Sequence, residues 1–484
     1  MLTEKNYKKL LKLFLSILPI FSLKVIYNNL FTFIQIIIIG LFFIWKCKID
    51  KECRSKLKYI FIYFLFLIIY GIFHHINALN FHSLVPGNFH YNYVDEFLYL
   101  IKMSMPVLFV YLIIFSKLNK EDYLKIIKSW IIIICGTIIV TNIFQISLSS
   151  YNDEVIKGNI FNWFSNNYIY NELASKGFFM YANQISCILV VLNPISLYYY
   201  FKQKLNFLYL VAILLACLML GTRVSNLGSI LVFIFLVLAN VFQCLIMKKK
   251  IQWKKLNYCG ILILIYCAIL PFSPTFSRYE IYDYLMPKNI SGLIASTSNS
   301  YTSKIEYIKN HYEEKLINEN FILNSYSYEY DPDFWLEILN KPINKRADYR
   351  YLEISMIKRV VEINNNKWDV LLGITNDRIQ NIFNIERDYI LQYYAYGIIG
   401  CLLFLGIYLL LLFKNLIALI KSFNYFNICI LATTILFLFI AYLSGNILGQ
   451  ISCFIPCLLL ISMSIKTELH PKFPLVNEKD NFVI

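Results

Sequence analysis

The sequence predicts an all-α polytopic membrane protein of about 12 transmembrane helices, with a large, partly helical extracytoplasmic loop domain between the ninth and tenth. Three observations carry this: apolar residues arriving in long blocks, basic residues concentrated in alternate connections, and one polar stretch too long to be a turn. Of the 484 residues 58% are hydrophobic, and the mean hydropathy is +0.57. A soluble domain stays near half apolar. A bilayer core about 30 Å thick takes roughly 20 apolar residues per helix, and backbone crosses it only as a helix or a closed barrel. Runs such as Leu231 to Ala239 do not alternate, which excludes a barrel.

The blocks place spans at Leu10 to Leu23, Leu30 to Trp45, Tyr59 to Phe73, Leu98 to Phe115, Trp130 to Ile146 and Tyr181 to Phe201. The second half adds Leu205 to Leu220, Leu227 to Leu245, Leu256 to Phe276, Tyr389 to Phe413, Phe426 to Leu443 and Ile451 to Ile465. No small-residue cleavage site follows the first block, so it reads as a retained helix. The predicted organisation is a membrane domain of about nine helices over 1–276, a loop domain over 277–388, about three helices over 389–465, and a tail over 466–484.

Alternate connections on one side hold 26 Lys and Arg, whereas the short loops on the other hold four: Lys24, Lys157, Lys176 and Arg223. Basic residues stay in the cytoplasm, so both termini are predicted inside and 277–388 outside. That segment carries 14 basic and 17 acidic residues. The formal charge of +15 therefore belongs to the cytoplasmic loops, and no nucleic-acid partner is implied. It contains no cysteine, so disulfides do not staple it, and no Cys/His spacing across the chain suggests a metal site. His74, His75, His82 and His90 read as solvated loop residues.

Within the long segment, Ser291 to Tyr301 reads as loop, and Lys304 to Asn318 and Tyr349 to Asn364 as helices. The second helix carries Leu352, Met356, Ile357 and Val360 at helical spacing, an apolar stripe suited to lying over a cavity between spans. No internal repeat is visible, nor the paired broken helices of many transporters.

Few charges fall where they are costly. Arg223, in Gly221-Thr-Arg223 between the seventh and eighth spans, sits at the outer membrane surface, where its fork either meets an anion such as phosphate or snorkels to headgroups. Lys102, in the fourth span, either reaches towards Asp95 and Glu96 or lines a pocket. Arg350 opens the late helix, and Leu371-Leu-Gly373 leads back to the membrane. Glu386 and Asp388 precede the tenth span; two apart on a helix they diverge, so one or the other faces a given cavity as a general base, unless both merely stabilise a helix start. Tyr326, Tyr328, Tyr330 and Trp335 offer rings for stacking on sugars or for anchoring at the interface.

In order along the chain, Asn183 in Tyr181-Ala-Asn-Gln-Ile, Gly221-Thr-Arg223, one long outer loop, Arg350, Leu371-Leu-Gly373, and the acidic pair before Tyr396-Gly-Ile-Ile-Gly400 resemble the O-antigen polymerase and O-antigen ligase superfamily. The resemblance covers most of the chain from about Tyr181 onward; the first five spans share only the layout. It implies a bacterial plasma-membrane glycosyltransferase that uses a polyprenyl-diphosphate-linked glycan on the outer face, without a cofactor, with the bilayer and a chain-length regulator protein as partners. Ligases of the family typically carry a histidine where this chain has Glu386 and Asp388, so the resemblance leans towards a polymerase of surface polysaccharide. It assigns Arg223, Arg350 and Lys102 to the diphosphate and Glu386 or Asp388 to the acceptor hydroxyl. The alternatives are a ligase transferring finished polymer and a flippase for lipid-linked glycans. A glycosyltransferase with an acidic first outer loop is disfavoured, since Lys24 to Asn29 contains no acid.

Overall fold

A computed structural model describes residues 3–26, 29–85, 89–146, 159–164, 170–276, 300–313, 317–342, 345, 348–380 and 385–464. The sequence expectations for 291–299, most of the outer loop 147–177 and the tail lie outside the described residues. Among those described the chain is helical, with one isolated β-bridge between Leu23 and Phe179.

The helices of eight residues or more are α1 (Glu4–Ile17), α2 (Asn29–Ile49), α3 (Leu57–Leu79), α4 (Tyr93–Phe115), α5 (Lys120–Ile143), α6 (Ala182–Phe201), α7 (Phe207–Leu220), α8 (Ser229–Ile246) and α9 (Trp253–Ile269). The long segment contributes α10 (Tyr301–His311), α11 (Pro332–Leu339) and α12 (Tyr349–Asn364), and α13 (Asp388–Lys421), α14 (Tyr425–Leu443) and α15 (Ile451–Ile461) follow. Nine described helices are long and apolar enough to cross a membrane, and α7 and α15 are shorter apolar helices. The protein is thus a multi-pass membrane protein.

The first predicted span differs in form. Its 14-residue helix α1 is amphipathic, burying Tyr7, Leu11, Phe14 and Leu15, and Pro19 follows in a 3₁₀ turn over Leu18–Ser22. α1 starts beside the opening of α5, with Lys8 2.6 Å from Asp122. Leu23 ends the segment against Phe179, just before α6 begins. The third and fourth spans also depart from the hydropathy boundaries: α3 runs on to Leu79 and α4 begins at Tyr93, which moves His74, His75 and Glu96 from the predicted loop onto helices.

α6 stands at the centre of the bundle. Every side chain from Gln184 to Phe201 is buried, and α7, α8, α14 and α15 pack around it. The predicted stripe of α12 holds: Leu352, Met356 and Ile357 are wholly buried and join one apolar cluster with Trp335 of α11 and Leu67 and Tyr70 of α3. The long segment is therefore seated directly on the membrane helices.

Candidate functional site

Asp388 opens α13, and its carboxylate is fully engaged. Oδ1 accepts from the amide of Asn446 (3.1 Å), and Oδ2 from those of Ile447 (2.9 Å) and Leu448 (2.8 Å). Three successive N–H groups pointing at one anion form a nest. The connection 444–450 wraps so tightly that a Cβ on Gly445 would fall 2.2 Å from the Glu386 carbonyl oxygen, while Asn446 takes the left-handed φ of 62°. Lys102 adds charge balance: it interacts electrostatically with Asp388, and its Nζ stands 5.3 Å from the Tyr99 ring centroid.

Glu386 has a different environment. Its side chain retains 34% exposure, and Oε2 accepts from Arg350 Nε at 2.7 Å and from Nη2 of the same guanidinium. Arg350 reaches it because Asp348 caps α12, accepting from the Arg350 amide at 3.0 Å, while the apolar stripe fixes the helix rotation. The structure thus brings two sequence-predicted residues, Arg350 and Glu386, into direct contact, and separates Glu386 from Asp388 by environment.

The two glycine motifs meet as well. Ile374 and Thr375 donate their amides to the carbonyls of Tyr394 (2.8 Å) and Ala395 (3.1 Å). At the crossing a Cβ on Gly373 would lie 2.1 Å from the Ala395 carbonyl oxygen, and one on Gly397 would lie 2.3 Å from the Leu371 carbonyl carbon. Both glycines adopt positive φ, 81° and 64°, and Gly397 breaks α13 into two helical pieces. Leu371-Leu-Gly373 and Tyr396-Gly397 are therefore two sides of one backbone contact.

Buried polar pins hold this return segment on α3 and α4. His74 Nε2 lies 2.9 Å from Glu96 Oε1, and its Nδ1 lies 2.7 Å from the Leu372 carbonyl oxygen. Both ring nitrogens thus face oxygen atoms of the return segment and of α4. Glu96 also accepts from the amides of Asn376 (3.2 Å) and Asp377 (2.8 Å). Asn77 donates to Asp369 Oδ1 (2.9 Å) and to the Gly373 carbonyl (3.0 Å). Arg378 is buried between the rings of Phe81 and Tyr91, 4.2 and 5.0 Å from their centroids, and donates to the Ala78 carbonyl at 2.7 Å. Burial pushes the carboxyls of Asp369 and Asp377 up and the Arg378 guanidinium down to about 10. Sequence reasoning missed this network because hydropathy ended the third span at Phe73. The available signal was the helical spacing of Tyr70, His74 and Asn77, which gives α3 one polar face.

Arg223 is exposed at the N-terminus of a π-helical turn, Val224–Gly228. Its neighbour Thr222 is within 2.6 Å of Ser186 on α6, one turn after Asn183, and Asn226 donates to Thr275, just before the long segment. Ser452 of α15 lies 3.4 Å from Gln184 of α6, linking this turn to the connection that cradles Asp388. The Asn183, Gly221-Thr-Arg223 and Glu386 motifs thus converge on the end of the bundle that bears the long segment.

Two readings of side chains are corrected. Tyr326 and Trp335 are wholly buried and Tyr328 nearly so; Trp335 donates to the Tyr326 carbonyl at 2.7 Å. They form the interior of the long segment, and of the four predicted aromatics Tyr330 alone is exposed. His74 is likewise a buried pin, and His75 Nδ1 lies 2.6 Å from the Tyr91 hydroxyl. Three cysteines that spacing did not connect, Cys187, Cys453 and Cys457, bring their sulfurs within 4.8 Å of one another inside the bundle.

The fold and site define a class: a multi-pass membrane protein whose long polar segment packs on the membrane helices and meets the start of α13 through the Arg350–Glu386 pair. The chain belongs to the O-antigen ligase like membrane protein family, whose model matches residues 4–466. No curated protein matches it. The family places the chain in surface polysaccharide assembly, among membrane glycosyltransferase-like proteins.

Proposed function

We propose that the protein polymerises polyprenyl-diphosphate-linked oligosaccharide repeats into surface polysaccharide on the outer face of the bacterial plasma membrane. Both termini then lie in the cytoplasm and 277–388 lies outside. The observation that carries the reading is the Arg350–Glu386 pair, a partly exposed carboxylate oriented by a guanidinium at the same end of the bundle as Arg223. In the transfer, a hydroxyl oxygen of one repeat bonds to the anomeric carbon of another as that carbon's bond to the diphosphate oxygen breaks. The hydroxyl proton passes to Glu386, and the lipid diphosphate departs with the bonding pair. The leaving group needs positive charge, which Arg223 supplies, with Arg350 shared between Glu386 and the phosphate. Lys102 acts with Asp388 to fix the α13 start beneath them, so of the two acids Glu386 is the base.

The test follows glycan length on a gel in cells carrying Glu386→Gln or Arg223→Ala. Loss of long polymer at normal protein level, with single repeats accumulating on the outer face, is expected. Unchanged long polymer in both variants removes the site assignment. Accumulation of single repeats on the inner face assigns a flippase instead, and long polymer left on its carrier assigns a ligase.

A further inference from the structure

The bundle interior holds a group of thiols that the transfer chemistry does not use. Cys187 of α6 and Cys453 and Cys457 of α15 are wholly buried, and their sulfurs lie within 4.8 Å of one another. Cys453 and Cys457 stand four apart on one face of their helix, and Cys187 meets them from α6, its Sγ 4.0 Å from that of Cys457. A metal ion in the plane of three sulfurs, at a bond length of about 2.3 Å, sets those sulfurs about 4.0 Å apart. The thiols are therefore close to the spacing of a three-coordinate site, on two helices that pack against each other.

The surroundings suit such a site. The Tyr408 hydroxyl of α13 is buried without a hydrogen-bond partner and interacts electrostatically with Cys457 and Cys453. Gln184 Nε2, on the helical turn before Cys187, is also buried without a partner. Unsatisfied donors are costly inside a bundle, and hydrogen bonds to metal-bound thiolates are a means of satisfying them. Asp388 interacts electrostatically with Cys187 and Cys453, so bare thiolates are unfavourable there and a cation among them is favoured. Among the described residues the group offers sulfur alone, with no imidazole or carboxylate, which selects a soft ion. Zinc takes a fourth ligand, whereas three thiolates suffice for copper(I). We infer that Cys187, Cys453 and Cys457 form a copper(I) site that ties α15 to α6. The ion displaces the thiol protons on binding and changes no oxidation state. Because α15 directly follows the connection 444–450, the site steadies the amides that hold Asp388. It is independent of which glycan reaction the protein performs.

The experiment uses full-length protein purified in detergent from cells grown with added copper, washed with a copper(I) chelator and assayed for metals by mass spectrometry. Wild type is expected to retain about one copper per chain, and Cys187→Ser to lose about nine-tenths of it. X-ray absorption of the wild type is expected to show three sulfurs at about 2.3 Å. Tyr408→Phe removes only a hydroxyl without a partner, so it is expected to fold normally and to hold copper about tenfold more weakly in chelator competition. A wild type that retains no copper, or retains zinc in its place, overturns the site. Copper held as tightly by both variants as by wild type assigns it to other cysteines and also overturns the site. Should Cys187→Ser yield no folded protein, the wild-type metal content and sulfur count, with the Tyr408→Phe competition, decide the matter.

Discussion

Asp388 and Glu386 stand two positions apart and belong to different regions of the molecule. Around Asp388 everything is closed: three backbone amides, the Lys102 charge, and a connection pressed against the preceding backbone. Around Glu386 one arginine holds the carboxylate and a third of the side chain remains open. A carboxylate that satisfies three buried N–H groups cannot leave them without a large desolvation cost, so it works as a fastener. A carboxylate in a single partly exposed ion pair is worth little to the fold and is free to exchange partners. The comparison separates a closed carboxylate from an open one within one tripeptide.

The sharpest way to break this comparison lies in the crossing that supports the closed region. Gly373→Ala or Gly397→Ala drives a Cβ into carbonyl atoms and strains a positive φ, so each is expected to cost more than about 4 kcal/mol and to abolish folded protein. Fluorescence-detected size exclusion of tagged protein reads this, and a normal monodisperse peak in either variant refutes the tight crossing. Next, Asp388→Ala strands three amides and Lys102, with an expected cost of about 3–5 kcal/mol. Thermal unfolding in detergent measures it, and a melting temperature within a degree of wild type contradicts the cradle.

A smaller effect comes with pH. Burial holds the carboxyls of Asp369 and Asp377 above their ordinary range, so ionising them opposes folding. Their contribution is fully present below the ordinary carboxylate pKa and declines as pH rises to the raised value. Arg378, which faces both, changes charge outside this window. Mild acidification is therefore expected to slow proteolysis within 369–380, and faster cleavage at lower pH under matched protease activity contradicts it.

Much of this was legible in the sequence. Apolar blocks located most of the crossing helices, and helical spacing placed the buried stripe of α12 residue by residue. Several short motifs that the sequence singled out meet in the structure, Arg350 with Glu386 and Leu371-Leu-Gly373 with Tyr396-Gly397, because paired glycines permit a backbone crossing that a side chain would block. What was hidden depended on partners far along the chain. His74 reads as a loop residue until Glu96 and the Leu372 carbonyl are seen beside it. Asp388 and Glu386 look equivalent until the connection 444–450, some sixty residues later, engages one of them. Tyr326 and Trp335 look like sugar platforms because hydropathy alone cannot say that a polar segment has its own interior.

The smallest expected effect on the fold is also the most informative about chemistry. Glu386→Gln replaces an ion pair that is a third exposed or more on both sides, so its stability cost is expected to be about 0–1 kcal/mol, screened further by salt. Transfer is expected to fall by about 10²–10⁴, the usual worth of a positioned general base. Measuring melting temperature and single-turnover transfer on the same preparation separates the two. If Glu386→Gln loses stability as Asp388→Ala does, both acids are fasteners and the base lies elsewhere. If it keeps its melting temperature and loses transfer, the open carboxylate is the reacting one, because no change of fold remains to account for the loss.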